Sequence, residues 1–158
     1  MRIPFLLAAS TLALATHGAI TVEFVEPEKY TDVARVRVAD REATLLDLGA
    51  HLLKLGKVLP ANQNLTIEIL DIDLAGEERL LGSGAQDVRL QRGGADFPSI
   101  RLRYTLEREG RKESREVRLA DMNYQRRVQP ISPLETLPHE KRMLTDWFNS
   151  LRLSVEAK

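Results

Sequence analysis

Hydrophobic and polar residues alternate along the segment from Leu65 to Gly76, which is the most β-prone run in the chain and predicts the central strand of the fold. Its first half places Leu65, Ile67 and Ile69 on one face, as in a half-buried β-strand. From Leu70 onward the apolar residues occupy the even positions instead. Because side chains in a strand alternate with a period of two, this change predicts a bulge, a bend or a change of partner near Leu70.

Further segments alternate in the same way. The additional predicted strands cover residues 20–25, 88–90, 98–107 and 113–120. Pro27 ends the first of them, since proline interrupts strand pairing. The turn Glu109-Gly110-Arg111 separates the last two, which therefore form an antiparallel β-hairpin.

Two segments have the periodicity of amphipathic helices. The first begins near Asp40, a suitable N-cap, and ends at Gly56 before Pro60. Its apolar stripe consists of Leu45, Leu48, Leu52 and Leu55, and Leu46 and Leu53 widen it. The second covers residues 139–151, and its broad apolar face consists of Met143, Leu144, Trp147, Phe148 and Leu151. We expect Trp147 in the core and an α+β fold: a mainly antiparallel sheet of four to five strands with two helices packed on one face.

Composition narrows the class of protein. The chain of 158 residues suits one domain with a sizeable core. Its formal net charge is zero, so no overall positive field attracts nucleic acid or an anionic membrane. It contains no cysteine, which excludes disulfides, thiolate catalysis and cysteine-based zinc sites.

The N-terminus resembles a secretion signal. Arg2 provides a positive charge, an apolar stretch runs from Ile3 to Ala15, and Ala13-Leu14-Ala15 matches the small-x-small pattern of a cleavage site. We therefore expect a signal peptide over residues 1–15 and a single α+β domain over residues 16–158. This mature domain would be periplasmic and would have no transmembrane anchor. A buried N-terminal helix is the alternative.

Two acidic or histidine-containing segments resemble metal sites without completing them. Asp71 and Asp73 begin like a calcium loop, but Gly82 stands where a bidentate glutamate is needed. His139 and the following glutamate begin like a zinc-protease helix, but Met143 replaces the second histidine. We expect no metal and no cofactor, with the histidines at the surface or near helix caps.

Arginine and glutamate residues are interleaved along the predicted hairpin. The arginines assigned to its polar side are Arg101, Arg103, Arg115 and Arg118, with Arg89 as a further candidate. The interleaved acids are Glu107, Glu113 and Glu116. Cross-strand ion pairs on a solvated face are the expected arrangement, and binding of phosphate or carboxylate ligands is the alternative.

Asp121, Asn123 and Tyr124 are the candidate ligand-binding residues. They follow the predicted strand that ends at residue 120 and precede a proline-rich irregular segment. Strand ends that lead into ordered loops often present polar groups to ligands. Asp and Asn also build turns through their own backbone, and a tyrosine can cover the edge of a core, so a purely structural role is the alternative. No catalytic motif is recognisable, and no catalytic residue is assigned.

Five segments together resemble a known family of secreted proteins from Gram-negative bacteria, the domain of unknown function 3016. The segments cover residues 24–32, 70–76, 101–104, 121–124 and 140–144. The resemblance implies export to the periplasm and a single domain, and it carries no established activity. We expect a non-catalytic envelope module that binds an envelope protein or a small ligand. The alternative is a hydrolase or transferase with an unrecognised polar site.

Overall fold

A computed structural model describes residues 18–32, 38–79, 88–91, 95–126 and 135–156. Several predictions fall outside these residues. They are the signal peptide over residues 1–15, Gly82 of the calcium-loop comparison, and the part of the proline-rich segment that contains Pro130 and Pro133. No helix within the described part of the chain is long and apolar enough to cross a membrane.

The α+β fold predicted from the sequence is confirmed. In chain order the elements are β1 (Ala19–Phe24), α1 (Val38–Gly56), β2 (Gln63–Asp73), β3 (Glu77–Arg79), β4 (Val88–Leu90), β5 (Ser99–Arg108), β6 (Arg111–Ala120) and α2 (Pro138–Glu156). The main sheet has four strands in the order β1-β2-β5-β6, and β3 pairs with β4 in a separate two-stranded sheet. Arg89, a candidate for the arginine row, therefore belongs to the small sheet.

The central strand β2 contains the predicted irregularity. Its antiparallel register with β5 shifts between Ile69 and Asp71, so Leu70 forms a bulge. The bulge lets Ile69 and Ile72, which differ in parity, both point into the core, where each is at most 2% exposed. The change of phase in the sequence thus marks a real break in the ladder.

Strand β1 pairs with β2 in parallel, a relationship that the sequence pattern did not reveal. Helix α1 connects the two strands and runs back along the sheet, so β2 starts at the same end as β1. The other ladders of the main sheet, β2 with β5 and β5 with β6, are antiparallel. The sheet is therefore mainly antiparallel, as expected, with one parallel pair.

Both helices contribute to one core on a single face of the sheet. Leu48 and Leu52 of α1 join Leu144 and Phe148 of α2 in the same buried cluster as the inward residues of β2 and β5. Trp147 is 9% exposed, and its ring centroid lies 5.6 Å from that of Tyr104 in an edge-to-face arrangement. The predictions of helix packing and of a core tryptophan are confirmed.

The helices begin or end slightly outside their predicted bounds. Helix α1 begins at Val38, which places Asp40 in the first turn, where a carboxylate interacts favourably with the helix dipole. Helix α2 begins at Pro138, a residue suited to a first turn, and continues to Glu156. Neither Gly nor Pro occurs between Leu151 and Glu156, so nothing in the sequence ends the helix earlier.

The opposite face of the sheet is solvated and ion-paired, as expected. Glu116 of β6 lies 3.6 Å from Arg101 and 3.3 Å from Arg103, and Arg103 also lies 3.6 Å from Glu68. Arg118 instead donates to the Ser99 hydroxyl at 3.3 Å.

The assignment of Arg115 to this face was wrong. Arg115 is opposite Tyr104 in the β5–β6 register, so it lies on the face of the sheet that carries the helices. It pairs there with Glu113, its neighbour two positions earlier on the same strand. Parity along the strand decides the face, and Arg115 and Arg118 have opposite parity.

Candidate functional site

A groove of about 380 Å³ runs between β6 and α2. We call it the strand–helix groove. It is lined by Arg118, Leu119, Ala120, Asp121, Met143, Asp146, Trp147 and Ser150. The apolar lining comes from core residues at the edge of the helix–sheet interface, and the polar lining comes from the strand end and the outer side of α2. Such a mixture suits a ligand that has both apolar and polar groups.

Strand β6 forms the edge of the main sheet beside this groove. It is ten residues long, and its only neighbour among the described strands is β5. Residues 111–116 are all exposed, and charged side chains occur on both faces of this part of the strand. Charged residues on an edge strand limit unspecific pairing with other chains. The edge is thus long and accessible to a specific extended partner.

Asp121 lies at the end of β6 and lines the groove. Its backbone N–H donates to the Pro98 carbonyl at 3.2 Å, and its side-chain Oδ1 accepts from the backbone N–H of Asn123 at 3.1 Å. The second of these bonds is that of an Asx turn, the structural role given above as the alternative to ligand binding. Asp121 is only 7% exposed, whereas Asn123 points outward and is exposed.

Tyr124 is buried behind this turn. Its hydroxyl donates to Oδ1 of Asp96 at 3.0 Å, and its ring meets the His139 ring edge-to-face with centroids 4.8 Å apart. Gln125 adds a hydrogen bond to the Tyr124 hydroxyl at 3.3 Å. The structure therefore brings Asp121 and Tyr124 into one buried turn and leaves Asn123 at the surface. A role of these three residues in ligand binding stays a prediction.

His139 is buried in the first turn of α2. The expectation of a cap-proximal histidine was right, but this side chain is 7% exposed and not at the surface. Burial lowers the pKa of His139. The carboxylates of Glu140 and Asp121 oppose this shift, and the Arg142 charge adds to it. Arg142 Nη2 lies 3.5 Å from His139 Nδ1, which fits a neutral ring that accepts at this nitrogen.

His51 of α1 also has a structural role. Its Nε2 lies 2.9 Å from the Thr145 hydroxyl, which in turn donates to the Lys141 carbonyl at 2.8 Å. Since the hydroxyl proton is already used, Nε2 of His51 is the donor in this pair. Burial lowers the pKa of His51 and favours the neutral ring.

A second groove of about 350 Å³ lies on the solvated face of the sheet, next to the bulge at Leu70. It is lined by Val25, Glu26, Lys29, Thr31, Leu70, Asp71, Arg101, Arg103 and Glu116. The arginines share Glu116, and both oxygens of Asp71 accept from Thr31, through its N–H at 2.7 Å and its hydroxyl at 2.8 Å. Its charged groups are largely paired with one another.

The residues considered as metal ligands make other contacts. Asp71 accepts hydrogen bonds from Thr31, and the His139 ring packs on Tyr124. In the described part of the chain, no group of three or more His, Cys, Asp or Glu side chains is arranged to hold a metal ion.

Comparison with known proteins identifies the family. Residues 18–150 match the family described as "Protein of unknown function (DUF3016)". The chain belongs to the DUF3016 family. The resemblance noted in the sequence is thereby confirmed. No curated protein matches the chain.

Among solved structures, this DUF3016 domain is similar to a minor lipoprotein from Acinetobacter baumannii. The two chains are 14% identical, the match covers 89% of this chain and 94% of that chain, and the TM-score is 0.26. At this TM-score the likeness carries no argument about fold or function.

Three of the five segments that resemble the DUF3016 family contact one another in the fold, namely residues 24–32, 70–76 and 140–144. Thr31 of the first segment donates to Asp71 of the second, and Asp32 accepts from the Leu74 N–H at 3.3 Å. Ala75 of the second segment donates to Glu140 of the last at 2.7 Å. These hydrogen bonds hold residues 31–32 and the N-terminal end of α2 against the C-terminal end of β2 and the residues that follow it.

Sequence reasoning found Asp121 but missed the strand–helix groove as a whole. Its two walls, residues 118–121 and 143–150, are separated by a long stretch of chain, so no local motif joins them. One signal was present in the sequence. Residues 111–116 carry charged or polar side chains at both parities, which is typical of an edge strand.

Proposed function

We propose that this DUF3016 domain is an exported, non-catalytic binding module of the bacterial envelope, and that its strand–helix groove binds an extended peptide segment of another envelope protein. The observation that supports this proposal is the edge of β6 beside the groove, which pairs with no further strand in the described part of the chain. An extended peptide can add to such an edge as a further strand, with main-chain hydrogen bonds giving affinity.

The position of the groove supports specificity for the peptide side chains. In an added strand, alternate side chains point to the same face of the sheet, and those on the helix side enter the groove. There they meet Leu119, Met143 and Trp147, the apolar part of the lining. Asp146 of α2 adds a negative charge to this wall, whereas the Arg118 side chain at the rim points to the other face of the sheet and donates to Ser99. The favoured peptide therefore alternates apolar residues with polar or charged ones.

The proposed site includes one of the three residues expected from the sequence. Asp121 lines the groove at the end of β6, next to the turn that Tyr124 stabilises from behind. In this proposal Asp121 and Tyr124 hold the turn that closes one end of the groove. Asn123, exposed at the same turn, is available for a polar contact with the peptide.

The chain offers an internal probe for the experiment. Trp147 is its only tryptophan and lines the groove, so its fluorescence reports on occupation of the site. A library of ten-residue peptides is selected for binding to the purified protein. Selected peptides are expected to shift Trp147 emission and to slow hydrogen exchange of the β6 amides.

A charge reversal and its control test the location. Asp146→Lys is expected to weaken the selected peptides about tenfold or more, because it reverses a charge that lines the groove. Glu28→Lys makes the same change of charge at an exposed position outside the groove lining and should leave binding intact. Peptides that bind without protecting β6, or that tolerate Asp146→Lys, would contradict the proposal. Mass spectrometry of the incubated peptide separates binding from hydrolysis.

A further inference from the structure

Helix α1 carries a second apolar stripe that faces away from the core. We call this the outer stripe; it consists of Ala43, Leu46, Ala50 and Leu53. The sequence pattern assigned Leu46 and Leu53 to the apolar stripe of this helix, and that assignment was wrong for the buried face, since Leu46 is 74% exposed and Leu53 is 47% exposed. The spacing of three, four and three residues places the four side chains on one side of the helix, opposite the buried Leu48.

Charges beside the outer stripe change sign along the helix. Glu42 and Asp47 lie toward its N-terminal end, and Lys54 and Lys57 lie at its C-terminal end. Glu42, Lys54 and Lys57 are exposed. Asp47 is 32% exposed even though one of its oxygens pairs with Lys141 at 2.8 Å and the other accepts from the Thr136 hydroxyl. Each carboxylate oxygen has two lone pairs, so Asp47 can still meet a second cation.

We propose that the outer stripe is a homodimerisation surface, on which α1 packs antiparallel against α1 of a second copy, with the twofold axis near Ala50. In this arrangement Leu46 of one copy meets Leu53 of the other, and the small Ala50 side chains meet at the axis. Small residues at the crossing point allow the two helices to approach closely. A twofold interface of this kind uses the same surface on both copies.

The charges favour this arrangement over other occupants. An antiparallel pair places Glu42 of each copy beside Lys57 of the other, and Asp47 beside Lys54. A parallel pair would place like charges side by side, which costs free energy. An anionic membrane surface would repel Glu42 and Asp47, because helices that lie on such surfaces carry mainly Lys and Arg on their polar flanks.

The dimer leaves the proposed peptide site accessible. Helix α2 contacts α1 on one side and β6 on the other, so the strand–helix groove lies across α2 from the outer stripe. The dimer therefore has two grooves, which strengthens binding to a partner that presents two copies of its segment. Dimerisation itself does not depend on the function proposed for the groove.

Sedimentation equilibrium of the purified protein tests self-association directly. We expect a concentration-dependent dimer that Leu46→Glu abolishes, with far-ultraviolet circular dichroism showing that the fold is kept. Leu46 is exposed in the monomer, so its replacement removes little that stabilises the fold. A protein that stays monomeric at all concentrations up to about 1 mM, the weak end of measurable affinity, would overturn the proposal.

Charge exchange tests the antiparallel arrangement. The twofold dimer contains two pairs of Glu42 with Lys57. Glu42→Lys alone or Lys57→Glu alone turns both pairs into pairs of like charge, so each variant should raise the dissociation constant of the dimer about tenfold. A mixture of the two variants restores both attractive pairs and should form a heterodimer of about wild-type affinity. Arg111→Glu, at the exposed hairpin tip, is the matched control and should change nothing. The antiparallel arrangement would be overturned if each variant dimerises more weakly than wild type and their mixture does not regain about wild-type affinity.

Discussion

Glu140, in the first turn of α2, accepts a hydrogen bond at 2.7 Å from the backbone N–H of Ala75, which lies 65 residues earlier in the chain. Glu140 is 2% exposed and Ala75 is equally buried. The bond joins the N-terminal end of α2 to the segment that follows β2. A carboxylate is also favoured there by the partial positive charge of the helix N-terminus.

Replacement of Glu140 should therefore destabilise the fold more than replacement of an ordinary polar side chain at the surface would. Glu140→Ala leaves the Ala75 N–H buried without its acceptor, which costs about 1–3 kcal/mol of the free energy of unfolding. Glu140→Gln keeps an acceptor oxygen and should cost less. Urea denaturation measures both. Equal stability of wild type and Glu140→Ala would show that another group satisfies the Ala75 N–H.

Trp147 gives a prediction for the packing of α2 on the sheet. Trp147→Ala should lower the free energy of unfolding by about 3–5 kcal/mol, because it removes a buried ring and leaves a cavity against Tyr104. Trp147→Phe keeps an aromatic ring and should lose clearly less. An unchanged denaturation midpoint for Trp147→Ala would contradict the core position of this residue.

Parts of the fold could be predicted because they depend on local periodicity. The phase change at Leu70 predicted a bulge, a bend or a change of partner, of which the structure has the bulge, and the apolar face of the last helix predicted the burial of Trp147. Periodicity states which side chains share a face but not which strand lies alongside. The parallel pairing of β1 with β2 therefore could not be predicted from the pattern.

The candidate site could be predicted only in part, for a related reason. Asp121 was recognisable as a polar residue at a strand end, but the wall formed by Asp146 and Trp147 comes from a distant helix. The burial of His139 likewise depends on Tyr124, which belongs to another element. Such contacts arise from the packing of whole elements, and no spacing within one segment encodes them.

Substitutions in the turn after β6 distinguish a structural role of Asp121 and Asn123 from a role in ligand binding. Asp121→Ala removes the acceptor of the Asn123 N–H and should lower stability by about 1 kcal/mol. Asn123→Ala should have little effect, because this side chain is exposed. Urea denaturation measures stability, and retention of envelope partners after crosslinking measures binding. Loss of partners by a variant of full stability would assign the site to this turn.

Export gives a prediction about the N-terminus. If the apolar stretch that ends at Ala15 is a signal peptide, the protein recovered from the periplasm begins at residue 16. N-terminal sequencing identifies this end. Ala13→Arg combined with Ala15→Arg should block cleavage, because signal peptidase requires small residues at both positions. A cytoplasmic protein that retains Met1 would contradict the prediction.

The two buried histidines give a prediction for the dependence of stability on pH. Burial lowers the pKa of both His51 and His139 in the folded state, so the unfolded chain takes up protons first on acidification. The stability that they contribute is fully present above about pH 6.5, the ordinary pKa of histidine. It is lost as the pH falls from there toward the folded-state pKa values. The free energy of unfolding should therefore decrease between about pH 7 and pH 5.

Variants of the histidines test whether these two residues cause the decrease in the free energy of unfolding between about pH 7 and pH 5. His139→Phe keeps a ring against Tyr124, and His51→Gln keeps a donor for Thr145, but neither replacement titrates. The double variant should lose less stability than wild type over the same pH range in urea titrations. Burial acts to raise the pKa of Asp47, but hydrogen bonds from Lys141 and Thr136 outweigh it, so this pKa is lowered. The stability that Asp47 contributes is lost only as the pH falls near and below its ordinary pKa of 3.8. An undiminished slope in the double variant would mean that carboxylates and not histidines cause the loss.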